Sequence, residues 1–324
     1  MAKPEMQGNI GKSSSYGRTF TFDGSSVVNP SNKNNSFTKS NDFLYVAQPD
    51  TDYETPKAEV DGLGGADQII FQQDGINIGD AYFTNFSSFE VVKLANGVGS
   101  TIDLGAEALQ AGIKEVTGGD GDDTITFGAA YDGDSESDPV VEPTSVKVDG
   151  GDGDDVITTA GGDDTITGGE GADVMSGGGG VDTFVFAATG DTVAASSVTV
   201  SSGVVAFADG ADVIINFDDA SAGQINSTTV DDVIKLGDLT FSSADFLSFG
   251  TLSLGATDDQ LSLTDGSTAG IFAAQGDWDG VAKTFTFGTA ESDIDFLFVT
   301  GASGTDVAFA SMDNWLVFDN SFIT

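Results

Sequence analysis

Apolar residues recur every nine positions between Gly150 and Val185, within four consecutive units that are rich in glycine and aspartate. The units read GGDGDDVIT, TAGGDDTIT, GGEGADVMS and GGGGVDTFV, and a fifth copy, GGDGDDTIT, lies at 118–126. The eighth position of the five units is apolar: Ile125, Ile157, Ile166, Met175 and Phe184. Alternate side chains of a strand face opposite sides, so each unit predicts a Gly-rich turn and a short strand with this residue pointing inward. Two such units make one coil, which predicts an all-β fold, a parallel β-roll or β-solenoid followed by a β-rich C-terminal region.

The sixth position of the five units is always aspartate: Asp123, Asp155, Asp164, Asp173 and Asp182. In a solenoid the turns stack along the edges of the coil, so these carboxylates converge and repel one another unless a cation lies between them. A hard cation that takes roughly six to eight oxygen ligands fits this arrangement, which favours several Ca²⁺ ions over Mg²⁺. Zinc and copper are poor candidates because the chain has no cysteine and no histidine.

Spacing predicts which carboxylates share a metal. Units eighteen residues apart belong to the same edge, which pairs Asp155 with Asp173 and Asp164 with Asp182. Asp191 follows Asp182 by nine residues and would extend the edge of Asp173.

Two further aspartates are candidate ligands outside the unbroken run. Asp67 belongs to an imperfect unit, GLGGADQII, and is the weaker candidate. The 23-residue stretch 127–149 is 14 residues longer than one unit, which indicates a loop insertion and places Asp123 on the edge of Asp155. The alternative is that Gly118 begins a broken, partly occupied coil.

Charge and composition narrow the possible functions. The chain has 52 acidic and 11 basic residues and a net charge of −41, which destabilises a compact state unless counterions bind. A nucleic-acid partner is not expected, because phosphate binding needs a basic face. Without cysteine there is no disulfide scaffold. We expect no transmembrane segment, since no apolar run approaches the roughly 20 residues needed to span a bilayer.

The sequence predicts four regions. They are a polar basic N-terminal arm (1–40), a β-rich N-terminal solenoid or cap region (41–117), a calcium β-roll (118–193, with an insertion at about 127–149) and a β-rich C-terminal region (194–324). The arm contains a strand-like segment, YGRTFTF, at 16–22, and LGAEALQAGIKEV at 104–116 is the best helix candidate. The N-terminus has no apolar stretch typical of a cleaved secretory signal, so we expect export by another signal.

Residues from about 118 to 240 resemble the RTX region of proteins that Gram-negative bacteria export through type I systems, including the β-roll of serralysin-like proteases. The five nonapeptides, DTFVF, GADVIINFDD and DDVIKLGDL carry this resemblance, and the N-terminal half more loosely resembles RTX adhesins and surface-layer proteins. The resemblance implies extracellular or cell-surface localisation, an uncleaved C-terminal export signal and Ca²⁺ bound by the sixth-position aspartates and by turn carbonyls. The implied carbonyl ligands are those of Gly118, Asp120, Gly150, Asp152, Gly161, Gly168, Glu170, Gly177 and Gly179. The second unit departs from the pattern, with Thr159 and Ala160 in place of two glycines.

No catalytic constellation stands out, and we expect no enzyme. The absence of histidine excludes an HExxH zinc motif and Ser-His-Asp triads, and Asp277-Trp278-Asp279 is more typical of a turn with a buried aromatic than of a sugar site. We expect a secreted structural protein that folds on Ca²⁺ and self-assembles as a surface-layer, filament or matrix subunit. The alternatives are a monomeric calcium-dependent adhesin or glycan-binding module and, less favoured, a carboxylate-only polysaccharide-active enzyme.

The expected partners are copies of the chain itself and cell-surface polysaccharide. Residues 1–40 are the candidate connector, because the strand at 16–22 would add to a sheet edge of a neighbouring copy. The alternative is a disordered tail.

Overall fold

The computed structural model describes residues 19–22, 39–46, 60–132, 143–186, 198–201, 203–208, 210–215, 217, 232–236, 239–242, 250–254, 261–264, 271–288, 295–301, 304–307 and 312–319. The chain forms two compact units, Met1–Gly162 and Asp163–Thr324. Among the described residues, no helix has the length and apolar character to cross a bilayer. The predicted four-region division stays a prediction.

The first unit is built from short strands and three single-turn helices. Its strands are β1 Thr19–Phe22, β2 Phe43–Val46, β3 Val60–Asp61, β4 Gln68–Phe71, β5 Asn77–Ile78, β6 Phe86–Ser87, β7 Val91–Lys93, β8 Thr101–Leu104, β9 Glu115–Thr117, β10 Thr124–Phe127, β11 Lys147–Asp152 and β12 Val156–Thr158. Its helices are α1, Ala106–Ala111, and two 3₁₀ helices, Asp80–Phe83 and Ala129–Asp132. The predicted helix at 104–116 is therefore present in a shorter form, and it ends at Gly112, whose φ of 103° suits only a residue without a Cβ.

Parallel pairing organises this unit as a roll. One sheet has the strand order β1-β2-β4-β7-β9-β11, a second sheet has β5-β8-β10-β12, and β3 pairs with β6. From β7 to β12 successive strands alternate between the two sheets, so two strands and two turns complete a coil. The roll in this unit therefore includes the strands from β2 to β9 that pair within its two sheets, and the sequence left open whether this region is continuous with the nonapeptides. Together with the parallel pairing in the second unit, this confirms the predicted all-β parallel roll.

The register of the pairing explains the nine-residue pattern. Ile125 pairs with Ile157 and with Ile102 of the preceding coil, and all three are at most 1% exposed. The neighbouring strand residues point the other way, and Val156 is 42% exposed. The alternation of a strand thus places the eighth residue of each unit in the core, as predicted.

Between β5 and β11, insertions replace the nonapeptide turns along one edge of the first unit. Asp80, in the first 3₁₀ helix, accepts hydrogen bonds at Oδ1 from the N–H groups of Gly105 (2.8 Å) and Ala108 (2.9 Å) at the start of α1. In the second 3₁₀ helix, the buried Tyr131 donates its hydroxyl proton to the carbonyl of Ile113 (3.0 Å). These contacts fix α1 and the two 3₁₀ helices against one another and against the coil.

The N-terminal strand lies on the chain's own sheet. β1 pairs in parallel with β2, from Thr19 opposite Phe43 to Phe22 opposite Val46. The predicted strand is therefore confirmed. The sequence predicted that this strand would add to a sheet of a neighbouring copy, whereas β1 pairs with β2 of its own chain.

The second unit continues with strands of both orientations. They are β13 Thr165–Glu170, β14 Val174–Ser176, β15 Thr183–Phe186, β16 Val198–Ser201, β17 Val204–Phe207, β18 Asp212–Ile215, β19 Val233–Leu236, β20 Leu239–Ser242, β21 Gly250–Leu254, β22 Leu261–Thr264, β23 Ile271–Asp279, β24 Thr284–Phe287, β25 Asp295–Gly301, β26 Gly304–Val307 and β27 Met312–Asp319. β13, β15 and β19 pair in parallel, with Ile166 opposite Phe184 eighteen residues later. The eighteen-residue coil predicted from two nonapeptides is thus present here.

A larger, mainly antiparallel layer follows the roll in the second unit. Its strand order is β16-β17-β24-β23-β25-β27-β18-β14, in which only β27-β18 and β18-β14 are parallel. Its core includes Phe272, Phe285 and Leu297, each fully buried. β27, close to the C-terminus, lies between β25 and β18, so the end of the chain completes the sheet that also holds the nonapeptide strand β14.

Candidate calcium-binding turns

Glycine shapes the turns that precede the repeat strands. In the turn at residues 168–173, Gly169 and Gly171 have φ values of 123° and 141°, a region that a residue with a Cβ rarely adopts. The first residue, Gly168, is needed for a different reason, because a Cβ there would overlap Oδ2 of Asp173. The same overlap would arise between Gly177 and Asp182. The GG-x-G pattern thus makes a tight turn that folds its sixth-position carboxylate back onto its first residue.

The five sixth-position aspartates are buried. Asp123, Asp155, Asp164, Asp173 and Asp182 are each at most 2% exposed. Burying a carboxylate is unfavourable unless hydrogen bonds or a cation stabilise it. These aspartates are therefore among the most buried acids of the described part of the chain.

In the second unit these carboxylates form a ladder from coil to coil. The N–H of Asp164 donates to Oδ1 of Asp182 (2.9 Å), and the N–H of Asp182 donates to Oδ1 of Asp232 (2.8 Å). On the other row, the N–H of Asp173 donates to Oδ1 of Asp212 (3.0 Å). The N–H of each aspartate thus donates to the carboxylate of the equivalent residue in the following coil, and we call this arrangement the carboxylate ladder.

The first unit contains the same ladder across the predicted insertion. Oδ1 of Asp123 accepts a hydrogen bond from the N–H of Ser100 (2.6 Å), and the N–H of Asp123 donates to Oδ1 of Asp155 (2.7 Å). Within its own turn, Oδ2 of Asp123 accepts from the N–H of Gly119 (2.8 Å). Asp123 and Asp155 therefore lie on the same edge, as the 14-residue surplus predicted, and the alternative of a broken coil is not needed.

Burial of the ladder carboxylates disfavours their ionised form. It raises the pKa of Asp182 to about 8, helped by the neighbouring carboxylates of Asp232 and Asp164 and opposed by the N–H of Asp164. Burial likewise raises the pKa of Asp123, against the N–H groups of Ser100 and Gly119. A bound cation reverses this effect, because it stabilises the ionised form of the carboxylate.

The residues present fit a Ca²⁺ ion. All side-chain donors in these turns are oxygens, which suits a hard cation. Oδ2 of Asp182 is buried and accepts no hydrogen bond, so it is oriented to bind a further electropositive group. Within the described ranges, no group of three or more acidic side chains converges closely enough to hold a metal by itself. Each ion therefore also needs backbone carbonyl oxygens, as the resemblance implied.

The structure brings together some of the predicted ligands and leaves others as predictions. Asp164 and Asp182 lie on the same edge and are joined by a hydrogen bond, but that they share a metal stays a prediction. The pair of Asp155 and Asp173 also stays a prediction. Asp191 lies outside the described residues. The predicted carbonyls of Gly118, Asp120, Gly150 and Asp152 lie in the turns of Asp123 and Asp155, and those of Gly168, Glu170, Gly177 and Gly179 lie in the turns of Asp173 and Asp182. Gly161 lies just before Asp164. The role of these carbonyls and carboxylates as metal ligands stays a prediction.

Sequence reasoning missed four acids that belong to the same columns: Asp42, Glu90, Asp212 and Asp232. Asp42 donates its N–H to Oδ1 of Asp67 (2.6 Å), and Asp67 donates its N–H to Oε2 of Glu90 (2.8 Å). One signal could have found all four, because each acid stands two positions before a buried apolar strand residue. These apolar residues are Leu44, Val92, Ile214 and Ile234. The glycine pattern of the nonapeptides is absent or incomplete around these four acids.

Comparison with known proteins identifies the repeat. Residues 115–133 and 149–184 match the family model of the RTX calcium-binding nonapeptide repeat, in four copies. No curated protein matches the chain. The chain therefore carries RTX repeats, which bind several Ca²⁺ ions and are typical of secreted calcium-binding proteins.

Proposed function

We propose that this protein is a secreted structural protein that folds on binding Ca²⁺ and assembles with copies of itself outside the cell, as a surface-layer, filament or matrix subunit. Three features support the proposal: a buried carboxylate ladder that needs a cation, an N-terminal strand that another copy can exchange, and a sequence without a recognisable catalytic group. The proposal assigns no enzymatic step to the chain.

Calcium-coupled folding follows from the ladder. A metal that binds only the folded state adds its binding free energy to folding. Extracellular calcium modules commonly bind with dissociation constants of roughly 10⁻⁴–10⁻³ M, so the repeats should be unfolded in a calcium-poor cytoplasm and fold outside. Circular dichroism of the full chain should show a loss of β signal in excess chelator and its recovery on adding millimolar Ca²⁺. A β spectrum that chelator leaves unchanged would contradict coupled folding.

The observation that carries the assembly proposal is the pairing of β1 with β2. β1 is the terminal strand of its sheet among the described residues, and residues 23–42 connect it to β2. These 20 residues have a contour length of up to about 65 Å, so the same pairing can form with the β2 of another copy. A reciprocal exchange between two copies closes as a dimer, whereas a head-to-tail exchange does not close on itself and propagates into a polymer, which is the form proposed here.

A pair of introduced cysteines distinguishes β1–β2 pairing within one chain from β1–β2 pairing between two copies. Thr21 and Tyr45 are Cα partners across β1 and β2, and adjacent strands lie about 4.8 Å apart, within the range that a disulfide bridges. Because the natural chain has no cysteine, the double variant Thr21→Cys and Tyr45→Cys has no other thiol that could compete, and the two single variants show whether like cysteines of different copies join. Oxidation in Ca²⁺ should give a covalent ladder on a non-reducing gel, and each single variant should give at most a dimer.

Exclusive formation of disulfide-closed monomers would show that β1 stays on its own chain and would remove the proposed connector. Electron microscopy with and without millimolar Ca²⁺ tests the wider proposal. Ordered particles that appear only with Ca²⁺ support a structural subunit. A monodisperse protein that binds on a glycan array would instead support the monomeric adhesin.

We also propose that the C-terminal residues direct export through a type I system of a Gram-negative bacterium. Residues 295–324 combine apolar runs with aspartate and contain no basic residue. Truncation alone is a poor test, because β27 belongs to the folded sheet of the second unit. A fusion of residues 295–324 to an unexported passenger protein should appear in the medium when a type I exporter is present. Retention of that fusion inside the cell would contradict this assignment.

A further inference from the structure

The turn at residues 62–67 lies outside the residues that match the RTX repeat, yet it has the same internal geometry. A Cβ on Gly62 would overlap Oδ2 of Asp67, as a Cβ on Gly177 would overlap Oδ2 of Asp182. Asp67 is fully buried, and so is Ile69 two positions later. The local fold of a calcium-binding repeat is thus present here without its consensus sequence.

Asp67 is also the centre of a ladder of the same kind. Its Oδ1 accepts a hydrogen bond from the N–H of Asp42 (2.6 Å), and its own N–H donates to Oε2 of Glu90 (2.8 Å). In the second unit, Asp182 has the same two relationships with Asp164 and Asp232. Three acids on successive coils, Asp42, Asp67 and Glu90, therefore form one column, which we call the N-terminal carboxylate column.

One atom in this column indicates a ligand. Oδ2 of Asp67 is buried and accepts no hydrogen bond, although a buried ionised carboxylate is stable only when its oxygens are bound. Asp42 is fully buried beside it. The N–H of Asp42 donates to Oδ1 and the N–H of Asp67 donates to Glu90, so neither of these groups binds Oδ2. A divalent cation is the partner that suits closely spaced, buried carboxylates with oxygen as the donor atom.

We propose that the N-terminal carboxylate column binds a Ca²⁺ ion of its own, with Asp67 as the central ligand and Asp42 or Glu90 as the second acidic ligand. Backbone carbonyls of the 62–67 turn complete the oxygen donors. This ion would lie among coils that contain no matched repeat, so calcium would control the roll from its first coils onward. The inference is independent of assembly, because it concerns the metal content and local stability of a single chain.

The test compares the full-length chain with three variants. Asp67→Asn keeps the hydrogen-bond acceptor but removes the charge, Glu90→Gln does the same on the next coil, and Asp103→Asn removes an exposed carboxylate from β8 of the same unit. Calcium content is measured by native mass spectrometry over a Ca²⁺ titration. Hydrogen exchange with and without Ca²⁺ reports separately on β2, β4 and the second-unit strands β13 and β15.

We expect Asp67→Asn to bind one Ca²⁺ fewer than the natural chain and to lose the calcium-dependent protection of β2 and β4, while β13 and β15 keep theirs. Glu90→Gln should need more Ca²⁺ to protect β2 and β4, and Asp103→Asn should match the natural chain. An unchanged ion count in Asp67→Asn would overturn the proposal. Protection of β2 and β4 that is independent of Ca²⁺ in the natural chain would also overturn it, and this readout does not depend on the folding of any variant.

Discussion

The backbone N–H of Asp164 donates a 2.9 Å hydrogen bond to Oδ1 of Asp182, a residue eighteen positions further along the chain. One coil of the roll separates the two, and both side chains are buried. The carboxylate of Asp182 therefore has two structural roles. It closes its own turn against Gly177, and it holds the backbone of the turn that precedes it by one coil. The remaining oxygen of Asp182 accepts no hydrogen bond, which leaves it available for a cation.

The first prediction concerns the charge of Asp182. Replacing it with asparagine keeps an oxygen at the ladder and removes a negative ligand, so Ca²⁺ should bind more weakly. We expect the midpoint of a calcium titration, followed by circular dichroism, to rise at least about tenfold, which corresponds to about 1.4 kcal/mol.

The matched control for this variant is Asp277→Asn, which removes an exposed carboxylate from β23 of the same unit. Its midpoint should equal that of the natural chain. A similar rise in both variants would show that general charge, and not the ladder, sets the calcium requirement.

The second prediction concerns pH in the absence of calcium. Burial raises the pKa of Asp182 from 3.8 to about 8, so between these values the folded chain holds a proton that the unfolded chain releases. The contribution of Asp182 to the free energy of unfolding should therefore be fully present below about pH 4 and be lost as the pH rises towards 8. Calcium binding should show the opposite trend, because protons compete with the ion for the carboxylate.

Circular dichroism of calcium-depleted protein from pH 5 to pH 8 measures this dependence, because repeats that are unfolded in chelator near neutral pH should regain β signal as the pH falls. Asp182→Asn has no proton to release at that site, so its stability should fall less over the same range. A calcium-free protein that becomes more stable as the pH rises over this range would be inconsistent with the raised pKa of Asp182.

The third prediction tests the alternation within one repeat strand. Ile157 is 1% exposed and the adjacent Val156 is 42% exposed. Ile157→Ala should lower the free energy of unfolding in Ca²⁺ by about 2–5 kcal/mol, because it leaves a cavity in the core. Val156→Ala should cost at most about 1 kcal/mol. Equal losses in denaturant titrations of the two variants would mean that the strand register is wrong.

The fourth prediction tests why the first residue of the repeat is glycine. Gly168→Ala would put a methyl group where Oδ2 of Asp173 lies, so the carboxylate must move. We expect weaker calcium binding by isothermal titration. Gly79→Ala is the control, since a Cβ at Gly79 meets nothing within 4 Å, and its calcium binding should be unchanged.

Much of the site could be predicted because every repeat unit forms the same turn and the same short strand. The nine-residue period placed Ile125 and Ile157 in the core and put Asp164 beside Asp182, and the 14-residue surplus was enough to place Asp123 on the edge of Asp155. These inferences need only the alternation of a strand and the stacking of identical turns. They fail where repeats lose their glycines, which is why Asp42 and Glu90 were not found.

The sequence by itself determined the parallel roll, the oxygen-only chemistry of its turns and the calcium that their charge requires, because each of these follows from a local pattern repeated at a fixed interval. Only the tertiary structure decided that β1 pairs with β2 of its own chain, that coils without consensus repeats continue the roll, and that Asp212 and Asp232 extend the carboxylate ladder. It also decided that β27 lies between β25 and β18. The physical reason is that these pairings join segments far apart in the chain, whose register is set by packing and backbone hydrogen bonds that no local pattern records.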